Sequence, residues 1–150
     1  MSALTIYQGL EVRFRTIPGL ANILLGEPTG VQETPALYTV YQQFDRPLRN
    51  SPPAQNLTGM THLFAHRLVL QFVDNPQCEM QLLAFLDAIP DSVDLDPHLG
   101  GRLTKGMAFI GSGITGFATI GAVQYRIVDY LGTVLEKRTG KFFYILFNSK

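Results

Sequence analysis

The chain has 150 residues, 46% of them hydrophobic, which suits one domain with a continuous core. Its 12 Lys and Arg balance 12 Asp and Glu, so no net field draws it to nucleic acid or to an anionic membrane. Only 16% of residues are charged against 11% aromatic, too few to solvate a monomer's surface, and part of that surface is expected to be covered by neighbouring subunits.

From Thr5 to Thr16 the apolar residues Ile6, Leu10, Phe14 and then Ile17 recur at steps of three and four, the spacing of one helix face. Gly9 interrupts this helix, and Pro18-Gly19 stops it. Glu11, Arg13 and Arg15 stand where a secretory signal has its apolar core, and no apolar run approaches the roughly 18 residues of a membrane span. Neither export nor membrane insertion is expected.

Ala21 to Leu25 and Ala36 to Phe44 read as strands joined by a turn at Gly26-Glu27-Pro28-Thr29-Gly30, the second rich in aromatic and β-branched residues. Residues 46–61 shift to Pro, Asn, Ser, Gln and Gly and predict a long projecting loop, either a binding element or a solvated segment without a partner. Asn56-Leu57-Thr58 matches a glycosylation acceptor, a pattern without weight where no secretory signal precedes it.

His62 to Val73 alternates apolar Phe64, Leu68, Leu70 and Phe72 with polar Arg67 and Gln71, the period of a strand. Asn75 and Pro76 then offer an N-cap and a first helical residue for a second helix, expected to end at Pro90. The lone Cys78 excludes an intrachain disulfide and a cysteine metal cluster, as suits a reducing compartment, and reads as a small core residue.

Asp94-Leu95-Asp96-Pro97-His98-Leu99-Gly100-Gly101 punctuates the chain after this helix. Beyond it, Gly106, Gly111, Gly113, Gly116 and Gly121 mark bends, bulges or turns between strands. Val123, Tyr125 and Ile127 begin a further strand that extends through Tyr130 to Val134. Residues 141–147 form a last strand around Phe142-Phe143-Tyr144-Ile145-Leu146-Phe147, buried on both faces or covered by a neighbouring subunit; the latter is favoured, because such an edge is an aggregation hazard.

Chemistry-bearing motifs are absent from this pattern. In a strand His62 and His66 stand about 13 Å apart and do not share an ion. His98, without a nucleophile motif, reads as a turn residue. Asp87, Asp91, Asp94 and Asp96 lack the spacing of a calcium loop. Gly111-Ser112-Gly113-Ile114-Thr115-Gly116 begins like a dinucleotide fingerprint, its last glycine following after two residues, but no amphipathic helix starts there to offer its N-terminus to a phosphate. No catalytic, cofactor or metal residue is expected, and the chain is read as a non-enzyme.

Ile17-Pro18-Gly19-Leu20 after the first helix, Asp96-Pro97-His98-Leu99-Gly100-Gly101 after the second and Gln124-Tyr125-Arg126-Ile127-Val128-Asp129-Tyr130 in the late strand carry a resemblance to the tail terminator proteins of long-tailed bacteriophages, over about residues 4–136. The resemblance implies an α+β subunit with a mostly antiparallel sheet packed against two helices. It implies a ring, typically hexameric, at the head-proximal end of the tail tube in the neck of the virion, assembled in the host cytoplasm. The ring stops tube polymerisation, meets tail tube protein on one face and the head-completion or connector protein on the other, and passes DNA only as cargo. The chain after Lys137 departs from that pattern, and a strand there is expected to join the subunit's own sheet or its neighbour's.

The expected contact residues are Arg46, Arg49 and Asn56 in the long loop, Lys105 and Phe109 in the glycine-rich segment, and Phe142, Phe143 and Tyr144 in the last strand. Other readings stay open at this point. They are a head-completion, stopper or other neck protein, a small cytoplasmic enzyme built on His66, His98 and the aspartates, and a ligand-binding module.

Overall fold

A computed structural model describes residues 2–46, 57–73 and 75–139. The elements are helix α1 (Ala3–Phe14), strands β1 (Asn22–Leu25), β2 (Ala36–Asp45) and β3 (Leu57–Gln71), helices α2 (Asn75–Leu86) and α3 (Ala88–Asp94), and strands β4 (Met107–Ile120) and β5 (Val123–Thr139). The fold is α+β, as expected, with one five-stranded sheet in the order β1-β2-β3-β5-β4. Among the described residues no helix is long and apolar enough to cross a membrane.

Helix α1 starts where the Ser2 hydroxyl accepts the Thr5 amide at 3.2 Å, satisfying one of the helix's unpaired donors. Ile6, Leu10 and Phe14 are buried on its inner face. Gly9 is there for close approach: a Cβ on it would lie 2.8 Å from the Leu99 Cβ, so the loop after α3 can press directly onto the helix.

The sheet is mixed. β1 lies parallel to β2, and the other three pairings are antiparallel. The two early strands are therefore not a hairpin; Gly26 to Pro35 carries the chain back to the starting end of β1, where the Ala21 amide donates to the Pro35 carbonyl. Alternation along β3 sends Phe64, Leu68 and Leu70 to the helix-covered core, which they share with Val128, Tyr130, Val134 and Ala108. On the second face Ala36, Tyr38, Val69, Tyr125 and Ile127 form a smaller cluster with Val31. The 26–35 segment thus covers one end of that face, fixed by a 3.3 Å hydrogen bond from the Tyr125 hydroxyl to the Val31 carbonyl.

Three expected boundaries move. Leu57 to Thr61 is strand rather than loop, because it pairs with Leu135 to Thr139, and such non-local pairing overrides a loop-like composition. The second helix breaks at Asp87 and resumes as α3 through Pro90, which sits in the first turn, where its missing N–H has no intrahelical partner to lose. The glycine-rich segment is one strand, β4, with a register shift at Gly111. It ends in a two-residue turn at Gly121 and Ala122, whose φ values of 58° and 67° are those a tight hairpin needs.

The Asp94 to Gly101 stretch has the architectural role expected of it. The Asp96 carboxylate accepts the Gly100 amide at 2.8 Å, and Leu99, Gly100 and Gly101 all have positive φ. This reverses the chain and drives Leu99 into the core, 1% exposed.

Candidate functional site

Beyond the end covered by residues 26–35, the second face of the sheet is open. Cross-strand rows run across it as Val40, Ala65, Leu131 and Ser112, then Leu63, Thr133 and Phe109, then Thr61, Leu135 and Met107. Several of these apolar side chains meet solvent: Leu131 and Leu135 are each 40% exposed and Met107 43%, while Ile114 on the edge strand reaches 74%. Contiguous apolar exposure of this kind marks an interaction surface rather than a random surface.

A shallow concavity of about 460 Å³ lies on this face, lined by Val40, Ala65, Leu131, Tyr38, Arg67 and Asp129 among others. Arg67 grips Asp129 through two hydrogen bonds of 2.6 and 3.0 Å from neighbouring strands, the two-pronged geometry that suits guanidinium and carboxylate. Its guanidinium lies 5.8 Å from the Tyr38 ring centre. The hydrogen bond to Asp129 holds the Arg67 pKa further above its ordinary value, and burial raises that of the Tyr38 phenol. Arg67 and Asp129 therefore neutralise each other at this spot, with exposed Glu27 also lining the concavity beside the apolar side chains.

The edge strand β4 adds a second feature. Its 14 residues, Met-Ala-Phe-Ile-Gly-Ser-Gly-Ile-Thr-Gly-Phe-Ala-Thr-Ile, include no charge and no proline, the devices by which proteins normally block edge pairing. The bulge at Gly111 interrupts it, and near its start the Ala108 amide already donates to the Pro97 carbonyl at 2.8 Å.

On the helix-covered face the two strand histidines are core groups. His66 Nδ1 is 2.8 Å from the Thr39 hydroxyl, and its ring stacks on Phe64 with Phe14 against it edge-on. Burial pushes its pKa down to about 3, so it is neutral at pH 7. His62 sits between the Tyr41 hydroxyl at 2.7 Å and the Glu136 carboxylate at 2.8 Å. His98 Nδ1 faces the Gly106 carbonyl at 2.8 Å and holds the loop ahead of β4. Among the described residues no three of His, Cys, Asp and Glu come together as a metal site.

Of the expected contact residues, Arg46 is exposed at the end of β2 and Lys105 is exposed just before β4, while Phe109 is half-buried on the open face. All three stand at one end of the sheet. β2 and β4 are its outer members there, three strand spacings or about 14 Å apart. Arg49, Asn56, Phe142, Phe143 and Tyr144, with most of the long loop and the 141–147 strand, lie outside the described residues. The open-face residues Met107, Ile114, Leu131 and Leu135 went unnoticed in the sequence. Alternation in β5 was visible, but which face helices cover is decided by tertiary packing.

No protein-family model matches the chain, and a search of curated proteins gives no significant match.

Proposed function

We propose that this chain is a structural subunit that closes into a ring at the head-proximal end of a phage tail tube. The ring ends tube polymerisation and seats the head-completion or connector protein, with DNA passing through as cargo. The observation that carries this reading is the half-open sheet face, with Met107, Ile114, Leu131 and Leu135 exposed beside an uncharged edge strand. A subunit built this way gains most by burying that surface against other subunits. The resemblance of its punctuating motifs to tail terminators supplies the kind of assembly.

Ring closure needs a head-to-tail interface whose rotation closes, and termination needs one ring face that fits the last tube ring and another that no tube subunit fits. Adding the purified chain to polymerising tail tube protein tests this. Tubes shorten as the dose rises and carry the protein at one end. Tubes of unchanged length, with no protein bound, would count against it.

A further inference from the structure

Before its bulge, the outer side of β4 is taken up by the chain's own loop, through the Ala108 amide and the Pro97 carbonyl. After the bulge it is open. Ala108 faces outward, and the extra residue at Gly111 shifts the alternation by one, so the main-chain groups of Gly113, Thr115, Phe117 and Thr119 point away from β5. The other edge of the sheet is β1. Its Asn22 amide and the Gly26 amide after it turn inward, to the Pro35 and Thr39 carbonyls, so those of Ile23 and Leu25 turn outward. Among the described residues, neither set of outward groups has a main-chain partner.

The two edges match in direction and in phase. β1 is parallel to β2, and the three pairings from β2 across to β4 are antiparallel, so β1 and β4 run in opposite directions. A second copy placed beside the first in the same sense brings its β1 antiparallel to β4, the better of the two pairings. Ile23 and Thr115 belong to one cross-strand row, through Leu37, Leu68 and Val128, and Leu25 and Gly113 belong to another, through Thr39, His66 and Tyr130. When the rows of one copy run on into the next, outward groups therefore meet outward groups.

Side-chain size fixes the register. In that alignment Leu25, 59% exposed, stands opposite Gly113, and Leu24 stands beside Ile114, 74% exposed on the open face. A slip of two residues one way puts Leu25 on the Gly111 bulge, and the other way sets Ile23 against Phe117. The outlines also fit as a step. β1 stops at the row of Thr39 and leaves residues 40–45 of β2 uncovered. The neighbour's loop at Pro97 fills that space lower on the seam, where Phe44, 58% exposed, shares the row of Ala108.

We infer that β1 (Asn22–Leu25) of one copy pairs antiparallel with residues 113–116 of β4 in the next, Ile23 against Thr115 and Leu25 against Gly113, joining the two sheets into one. This rests on the ring reading and specifies its interface: a head-to-tail contact between two different edges, which can close into a ring where a like-with-like contact stops at a dimer. Main-chain pairing gives the affinity, and the glycines opposite larger side chains select the register.

Disulfide trapping in the full-length chain tests it, with Cys78→Ser removing the native thiol. The pairs L24C with I114C and N22C with G116C fall at the non-hydrogen-bonded positions of the seam, where facing side chains lie closest. Under mild oxidation either pair gives a ladder of covalent oligomers up to the ring, and each single-cysteine variant gives none. Rings seen by electron microscopy without cross-linking in either pair would overturn the edge pairing and leave the ring reading standing. A ladder whose members never close into rings would support the pairing and overturn the ring reading, and a monomer with neither would overturn both. Dimers from I114C alone, which mean two β4 edges meeting about a two-fold axis, or a cross-link from I114C to I145C, which puts the chain's own C-terminal run on this edge, would each overturn the inference.

Discussion

Gly132 of β5 lies directly against the buried imidazole of His66: a Cβ at position 132 would fall on His66 Nε2, an atom with no hydrogen-bond partner among the described residues. The ring is held in place by Thr39, Phe14 and Phe64 and has nowhere to move. Gly132→Ala is therefore expected to destabilise the fold by about 1–3 kcal/mol, the usual cost of overfilling a packed site. Urea unfolding at pH 7 measures it, and an unchanged midpoint would show that the core gives way.

His66 also sets a pH dependence. Its pKa falls from the ordinary imidazole value of 6.5 to about 3 in the folded chain, so between those values the unfolded chain binds the extra proton and the folded chain does not. The contribution to stability is complete above pH 6.5 and is lost as the pH falls toward 3, at a slope of up to about 1.4 kcal/mol per pH unit. His66→Asn is expected to flatten this part of the profile. Chemical denaturation of both proteins from pH 7 to pH 4 measures the difference, and parallel curves would contradict it.

The four aspartates near α3 separate by role. Asp96→Ala removes the acceptor of the Gly100 amide and is expected to cost about 1 kcal/mol, the typical value of such a local cap. Asp94→Ala, at an exposed position, is expected to stay within about 0.5 kcal/mol. Equal losses from both would show that the turn does not depend on the Asp96 contact.

Ile114→Lys and Leu131→Lys place charges on the open face without touching the helix-covered core. Each is expected to leave the unfolding midpoint nearly unchanged, as exposed substitutions do, and to abolish assembly larger than a monomer. Light scattering alongside thermal unfolding reads both properties. Full assembly in both variants would show that the open face plays no part in it.

Much of the fold was legible because it is written in local periodicity. Ile6, Leu10 and Phe14 define α1, and Phe64, Leu68 and Leu70 define the buried side of β3. What depends on distant partners was not legible. Leu57 to Thr61 resemble a loop until β5 is laid beside them, and Asn22 to Leu25 give no sign that they pair parallel to β2. Lys105 and Phe109 could be nominated because glycines flag an accessible segment. Leu131 and Leu135 could not, since their exposure follows from the helices covering the other face. Gly9 looked like a flaw in a helix, and its purpose became visible only with Leu99 against it.

Electron microscopy of the purified full-length chain, alone and mixed with phage tail tubes, tests the ring-terminator role most directly. Expected are closed rings, six copies in the form typical of tail terminators, that seat on one end of each tube and leave the other bare. A stable monomer that ignores tubes, or rings that bind along tube walls without preference for an end, would contradict it.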